Sequence, residues 1–518
     1  MGISRSNRFG AALLLTGLSV ASSGQPTAAA EPAAQTAGGS LVYGTYGEGS
    51  GFDPLKRGLG YCNTAIYDSL LRFDDEGNPE PYMAESMISD DNVAWTLKLR
   101  EGVMFHDGTP LDAAAVIYNI ERHMDPANAS ALATLVAPIE SMEAVDDLTV
   151  EFTLGSPFGV FDAGFAQANG LGIIISPTAA EELGADYNLN PVGAGPFVFE
   201  EWIPDDHLTL VRNPDYWQDG LPYLDELTCR PLPDTQTRYQ AIANGDVDLT
   251  YMITVAEIDQ AAADGNLVVY DAVGNGAEGI ILNDNRPPFD DPRMREAFVS
   301  MLNLDVIADV RLNGHRELAG AIGLIAPTSP VYNPAIEEVW PQYDVDRAKA
   351  LIEEYVADGG DPNFTFVLPN TPDRRRFADM AGQFFSDAGL DVTMEFLDIS
   401  EFVSGVLNTG DFQAAINSYP AFIGQYPQMW NCYHSGGSSN FGQFSDPEID
   451  ALLETAVSTL DPAEADQAWK DVQVLIAEAI PYATYGRSPS AIITQPHVEG
   501  VDKYDDNTLW FATLSRAQ

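Results

Sequence analysis

Basic residues are scarce in this chain. Its 518 residues hold 25 Lys and Arg against 77 Asp and Glu, a formal net charge of −52. A polyanion of that size is repelled by nucleic acid and by anionic membrane surfaces, which excludes both as partners. The acids are scattered and not gathered in a tail, so they coat the surface. Two explanations stay open: a salty external medium that screens the self-repulsion, or the ordinary acidic bias of exported proteins. Cysteine is also rare. Cys62, Cys229 and Cys432 lack close metal-ligand spacing, which argues against a zinc centre, and three thiols allow one disulfide with one left over. Beyond the N-terminus no stretch approaches the roughly 18 apolar residues of a membrane-spanning helix.

Catalytic signatures are missing too. There is no G-x-S-x-G elbow, no H-E-x-x-H and no phosphate-cradling G-x-x-x-x-G-K-[ST]. The six histidines (His106, His123, His207, His315, His434 and His497) are isolated from one another. A Ser-His-Asp triad assembled from distant residues stays open, because such triads exist only in space. His434 lies in a Gly/Ser-rich loop, where a histidine serves either as a ligand or metal contact or, more often, as a loop hydrogen-bonding group. Gly274-x-Gly276-x-x-Gly279 matches the dinucleotide fingerprint, but Ile280-Ile281-Leu282 and Pro287-Pro288 follow it. That continuation is strand and breaker, not the helix whose N-terminus would face a pyrophosphate, so the segment reads as a hairpin turn.

Several features are present and informative. Arg5 and Arg8 precede the apolar run Ala11–Val20, and Ala28-Ala29-Ala30 offers a cleavage site before Glu31. This is the plan of a secretory signal peptide over residues 1–30, cut near Ala30, and it implies an exported, periplasmic protein. The remainder is too long for one core and, at 45% apolar, too apolar for disorder. Alternation and turn residues indicate strands at Leu41–Tyr46, Ala94–Leu99, Leu148–Leu154, Leu227–Leu232, Val268–Ala272 and Glu278–Asn283, with a hairpin at Phe197–Glu201 and Leu208–Arg212. Helices are indicated at Tyr61–Arg72, Asp112–Met124 and Thr235–Ala243. After Arg293, strands at Thr365–Leu368, Thr393–Leu397 and Ala414–Asn417 alternate with helices at Asp346–Ala357 and Arg374–Ala388, a βαβ rhythm that makes this part α/β. A last strand at Ala491–Thr494 is expected to return to the first.

Four blocks then line up in order. The first runs from Trp95 to Pro110 and contains Leu99-Arg100, Gly102-Val103 and Phe105-His106-Asp107-Gly108. The second runs from Pro191-Val192-Gly193-Ala194-Gly195-Pro196-Phe197 through Glu201-Trp202 and Arg212-Asn213-Pro214-Asp215-Tyr216-Trp217 to Pro222-Tyr223-Leu224-Asp225. Gly245-Asp246-Val247-Asp248-Leu249 is the third, and Asn283 with Pro287 to Ala297 the fourth. Together they resemble the extracellular solute-binding proteins, family 5, that serve peptide, oligopeptide and nickel ABC importers. Read without the resemblance, Gly193 and Gly195 permit tight turns, Asn213-Pro214-Asp215 an Asx turn, and Trp95, Trp202 and Trp217 core packing.

The resemblance implies an α/β, two-lobed periplasmic-binding-protein fold (type II, the large three-domain cluster C variant) with a hinge and an interlobe cleft. Lobe one would comprise 31–75, 191–282 and 494–518, with 76–190 as an inserted subdomain; lobe two would be 283–493, and the hinges would lie near Asn283 and Ala491. It implies a monomeric, non-enzymatic capture protein for a small-molecule or peptide solute, without cofactor or metal, working with an ABC permease and ATPase. An exported hydrolase, or a sensor presenting its closed form to a receptor, are the rival readings.

In peptide-binding relatives a G-W-x-x-D-x-x-D-P segment supplies the acid that pairs with the ligand's ammonium. Here Ser418–Trp430 holds no Asp, so an ordinary dipeptide is disfavoured and an uncharged or aromatic body suits the site better. The candidate ligand-binding residues are Tyr46, Tyr61, Asn63, Asn275, Asn370, Thr371, Arg374, Tyr419, Phe422, Gln425, Tyr426 and Trp430. Arg374 could hold a carboxylate bidentately. Cys62 and Cys432 are a candidate disulfide near the cleft.

Overall fold

Acidic and hydroxyl caps start the helices. Asp112 accepts from the Ala115 amide (2.8 Å) and opens the helix Ala113–Met124, whose Val116, Ile120 and His123 are buried. Thr371 accepts from the Arg374 amide (3.2 Å) and opens Pro372–Asp387, whose buried face is Phe377, Ala378, Ala381, Phe384 and Phe385. That i, i+4, i+7 spacing turns one apolar stripe toward the core. These features belong to a computed structural model that describes residues 37–517 except 57–60, 75–76, 274–275, 321, 326, 328–330, 420–427, 488 and 504–507. The leader lies outside the described residues. None of the described helices is long and apolar enough to cross a membrane.

Three sheets carry the architecture. The large sheet has seven strands in the order Val268–Val273, Pro489–Thr494, Leu249–Met252, Ser40–Thr45, Glu226–Pro231, His207–Arg212 and Phe197–Ile203. A five-stranded sheet has the order Thr393–Leu397, Thr365–Pro369, Ala414–Tyr419, Ala277–Leu282 and Tyr482–Gly486. A four-stranded antiparallel sheet consists of Ala84–Ile88, Ala94–Leu99, Thr149–Leu154 and Ile139–Asp146. Contacts join this region to the C-terminal part of the chain: the Asn92 side chain donates to the Thr459 carbonyl (3.1 Å) and the Gln428 side chain to Asn169 Oδ1 (3.0 Å).

Four sequence expectations change. The expected helix at Tyr61–Arg72 is helical only over Asn63–Ile66, and Leu71–Phe73 is a strand paired with Pro79–Pro81. Tertiary contact overrides the periodicity here. Gly193 and Gly195 let the second block press against this segment: a Cβ on either would lie 2.2 Å from the Ile66 carbonyl oxygen or 2.5 Å from its carbon. The strands Val268–Val273 and Ala277–Leu282 do not pair as the expected hairpin, because they belong to different sheets. The strand Ala277–Leu282 lies in the five-stranded sheet and Pro489–Thr494 in the large one, so the chain changes sheet between Val273 and Ala277 and between Gly486 and Pro489, not near Asn283 and Ala491. The apolar run of the former, with Ile280, Ile281 and Leu282 buried, demands a central position covered on both faces. Finally, Pro489–Thr494 pairs with Leu249–Met252 and Val268–Val273, not with the first strand.

The disulfide joins Cys62 to Cys229, 167 residues apart, and Cys432 is a buried free thiol, so the Cys62–Cys432 pairing is corrected. Trp95 is buried, Tyr216 is buried, and Asp215 donates its amide to Asn213 Oδ1 (3.0 Å), as the Asx reading required.

Candidate functional site

Strand register brings the candidate residues to two sheet edges. In the large sheet, Ser40–Thr45 and Leu249–Met252 run parallel, and Met252 pairs with Ala491, so Thr45, Met252, Pro489 and Val273 end at one edge. In the five-stranded sheet, Pro369, Leu397, Tyr419, Ala277 and Gly486 share one edge. Both passages between the sheets, Val273 to Ala277 and Gly486 to Pro489, join these two edges.

Aromatic rings dominate the large-sheet edge. Tyr46 follows the first strand and meets the edge of Tyr61 (6.5 Å between centroids), and Tyr61 packs on Tyr251 (5.4 Å). Tyr46 and Tyr61 are 41% and 43% exposed, which leaves ring surface open for stacking. Beneath them Arg238 is fully buried. It donates to the carbonyls of Leu232 (2.5 Å) and Tyr251 (2.9 Å) and sits 5.2 Å from the Tyr46 ring centroid. Burial lowers its pKa, and carbonyl dipoles take the place of a carboxylate partner. Asn63 is only 5% exposed, and neither polar atom of its side chain has a hydrogen-bond partner.

The five-stranded edge is ionic. Arg311 Nη2 donates to both Glu278 oxygens (3.0 and 2.7 Å), the Tyr485 hydroxyl donates to Glu278 Oε2 (3.0 Å), and Arg374 Nη1 lies 3.9 Å from it. Burial alone would raise the Glu278 carboxyl, but the Arg311 and Arg374 guanidiniums hold it below the usual carboxylate range. Arg374 Nη2 donates to Ser418 Oγ (2.9 Å). Exposed Asn370 accepts from Arg375 Nε and Nη2 (3.0 and 2.7 Å), while half-buried Thr371 is spent on the helix cap. The Arg374–Arg376 cluster is therefore largely committed within the protein, since Arg375 also lies over the Phe396 ring (4.3 Å) and Arg376 pairs with Asp373 (3.5 Å).

The structure thus groups Tyr46, Tyr61 and Asn63 at one edge and Asn370, Thr371 and Arg374 at the other. Tyr419 ends its strand at the second edge. Trp430 stands apart in the helix Gln428–Tyr433, stacked on His434 (4.1 Å). His434 in turn accepts from the Gly436 amide (3.0 Å), a loop-ordering role. Asn275, Phe422, Gln425 and Tyr426 lie outside the described residues. Among the described residues there is no His/Cys/Asp/Glu group suited to a metal. Sequence reading missed Arg238, Tyr251, Glu278, Arg311 and Tyr485. Glu278 alone carried a signal, as an acid inside an otherwise apolar strand.

Comparison with known proteins agrees with this frame. The sequence model of the bacterial extracellular solute-binding proteins, family 5 (middle), matches residues 78–440. The glutathione-binding protein GsiB of Pectobacterium atrosepticum is 30% identical over 424 residues, 79% of this chain and 80% of that protein. Among solved structures, the periplasmic binding protein DppA of Helicobacter pylori with peptide STSA superposes with a TM-score of 0.81 at 25% identity, covering 93% of this chain and 99% of that one. The oligopeptide-binding protein AppA of Bacillus subtilis with a nonapeptide has the same fold, with a TM-score of 0.80 at 23% identity over 93% of this chain and 100% of that one. The family resemblance read from the four blocks and the α/β binding-protein fold both hold, and the chain belongs to the bacterial extracellular solute-binding proteins of family 5, a family of binding proteins and not of enzymes.

Proposed function

We propose that the chain captures a small peptide-like or amino-acid-derived solute in a crevice between the two sheet edges and hands it to an ABC permease and ATPase. One observation carries this reading: the only passages of chain between the two large sheets, among the described residues, join the edge bearing Tyr46, Tyr61 and Tyr251 to the edge bearing Asn370, Arg374 and Ser418. Two neighbouring passages make a hinge, and a hinge lets one sheet close on the other around a solute. Lobe one is then the large sheet with 76–190 inserted, and lobe two runs from Ala277 to Gly486. Arg487 supports the hinge assignment. It is buried, donates to the Ile325 carbonyl (2.7 Å) and reaches the Gly276 carbonyl in the other passage (3.3 Å).

The chemistry of the edges favours a solute without a free ammonium at this place. The half-buried carboxylate there, Glu278, is already held by Arg311 and Arg374, and the remaining groups are rings, amides and hydroxyls. Glutathione and peptides bound by the relatives agree with an amino-acid-derived body. The protein acts as an exported periplasmic monomer, its leader removed near Ala30.

The test is thermal melting of the mature protein against peptides, glutathione, oligosaccharides, aromatic acids and nickel complexes. A solute of the proposed class raises the melting temperature with concentration, by about 2.7 kcal/mol of added stability at 100 times its Kd. Tyr61→Ala weakens that solute about tenfold by removing a stacking face, with little change in the free protein. If no amino-acid-derived compound shifts the melt, the reading is wrong.

A further inference from the structure

A small pocket opens beside the Cys62–Cys229 disulfide, walled by Phe52, Trp202, Leu208 and Tyr61, with Asn63 and Glu48 as its polar side chains of note. The walls are mostly apolar, but Asn63 is not at rest among them. Its carboxamide is 5% exposed, and both its oxygen and its nitrogen are without a hydrogen-bond partner. A buried amide left so costs the full desolvation of two polar atoms, and native proteins keep such groups only where something else completes them. Asn63 caps nothing either: its helix is four residues long, and the residue before it makes no side-chain cap bond.

We propose that this cavity is a subsite of the solute crevice that receives a neutral carboxamide end of the solute, paired reciprocally with Asn63. The inference rests on the crevice reading above, because Tyr61 is shared by the cavity wall and the aromatic edge. A carboxamide fits for a simple reason. Asn63 presents an acceptor oxygen and a donor nitrogen, and a second primary amide offers the complementary pair in one plane. Charged ends fit worse. Glu48 stands in the wall with its carboxylate fixed by the Trp202 indole N–H (3.0 Å) and the Asp205 amide (3.0 Å), so a carboxylate end would meet like charge. An ammonium end would be attracted to Glu48 but would leave the Asn63 nitrogen facing donors. The apolar walls, disulfide included, accept the short methylene stem that carries such an amide.

The test titrates propionamide and its isostere propionate into the intact protein and follows the Asn63 side-chain NH₂ resonance by NMR. Propionamide should move that resonance saturably, and propionate should not compete for it. Asn63→Leu should weaken propionamide about tenfold or more. Leu208→Phe, which narrows the cavity without touching Asn63, should do the same and covers the case in which Asn63→Leu does not fold. The subsite is overturned if propionamide leaves the Asn63 resonance unmoved, if both variants bind it like the parent, or if propionate binds equally well. The two readings fail separately. A solute from the melting screen that binds the parent and Asn63→Leu alike removes the subsite and leaves the crevice standing. Propionamide bound at Asn63 in a protein that takes no amino-acid-derived solute removes the crevice reading alone.

Discussion

Two carboxylates drawn away from water in this protein have opposite fates. Asp68, on the large-sheet side, is 1% exposed and accepts from the Tyr216 hydroxyl (2.8 Å) and the Trp217 indole (2.8 Å), both on Oδ2, while Oδ1 has no partner. Burial pushes its pKa up to about 7, although those two donors pull the other way. Glu278, in the five-stranded sheet, is half-buried and faces two guanidiniums, and its pKa is lowered. Neutral donors relieve a buried charge only in part, whereas a full opposite charge overcomes the cost of leaving water. The large-sheet side also buries Arg238 against carbonyls and the Tyr46 ring, with no carboxylate hydrogen-bonded to it. The Cys62–Cys229 staple lies on that side, and the Glu278 cluster on the other side is ionic.

The largest expected effect cuts the staple. Replacing Cys62 and Cys229 with serine opens a loop closed across 167 residues and should cost about 4–5 kcal/mol in urea unfolding. The Arg311–Glu278 cluster should keep its own pH signature in that variant; if both sides lose stability together, they are one cooperative unit and the contrast is false.

Glu278→Gln should cost about 3 kcal/mol at pH 7, since it removes the shared carboxylate of two half-buried arginines, of which Arg311 keeps Asp373 (2.6 Å). A lowered folded pKa means that the parent's stabilisation from this group is present above the unfolded value of 4.5 and is lost as pH falls through the folded value. The variant should therefore show a shallower acid-side loss below about pH 4.5 than the parent, and identical acid limbs would sink the assignment.

Asp68→Asn has the smaller effect and the opposite sign. Here the folded pKa is raised from 3.8 to about 7, so the parent loses stability as pH climbs from about 4 to about 7 and is flat above. The amide keeps an oxygen for Tyr216 and Trp217 and carries no charge to bury. Its advantage over the parent should grow across that window to about 1–4 kcal/mol at pH 8, checked by melts at pH 4.5, 6 and 8. Parallel curves for parent and variant would show that Asp68 stays ionised.

The elements that were legible in the sequence share one property: their signal is local. Asp112 caps its helix because the residue that caps sits three positions from the amide it satisfies. The stripe Phe377–Phe385 and the hairpin Phe197–Ile203 with His207–Arg212 likewise need only neighbours in sequence. The misplaced elements depend on distant partners. Tyr61–Arg72 has a helical pattern, but Asp68 is claimed by Tyr216 and Trp217 and Ile66 by the glycines at 193 and 195. The run Gly274–Gly279 looked like a turn because sequence does not tell which sheet a strand joins. At the candidate site, Tyr46, Tyr61 and Arg374 could be picked out as rings and a cation near strand ends, whereas Arg238, Arg311 and Tyr485 reach it from helices and strands far along the chain.

The sequence by itself determined the acidic surface, the binding-protein family, the α/β alternation and most element boundaries, because composition, capping and periodicity are short-range properties of the chain. Tertiary structure decided which cysteines pair, where the two passages between sheets fall, and which buried charges find an opposite charge and which find only dipoles. Those outcomes depend on contacts that local pattern does not encode, 167 positions apart for the disulfide and 33 for Arg311 with Glu278, and burial gives each of them its sign.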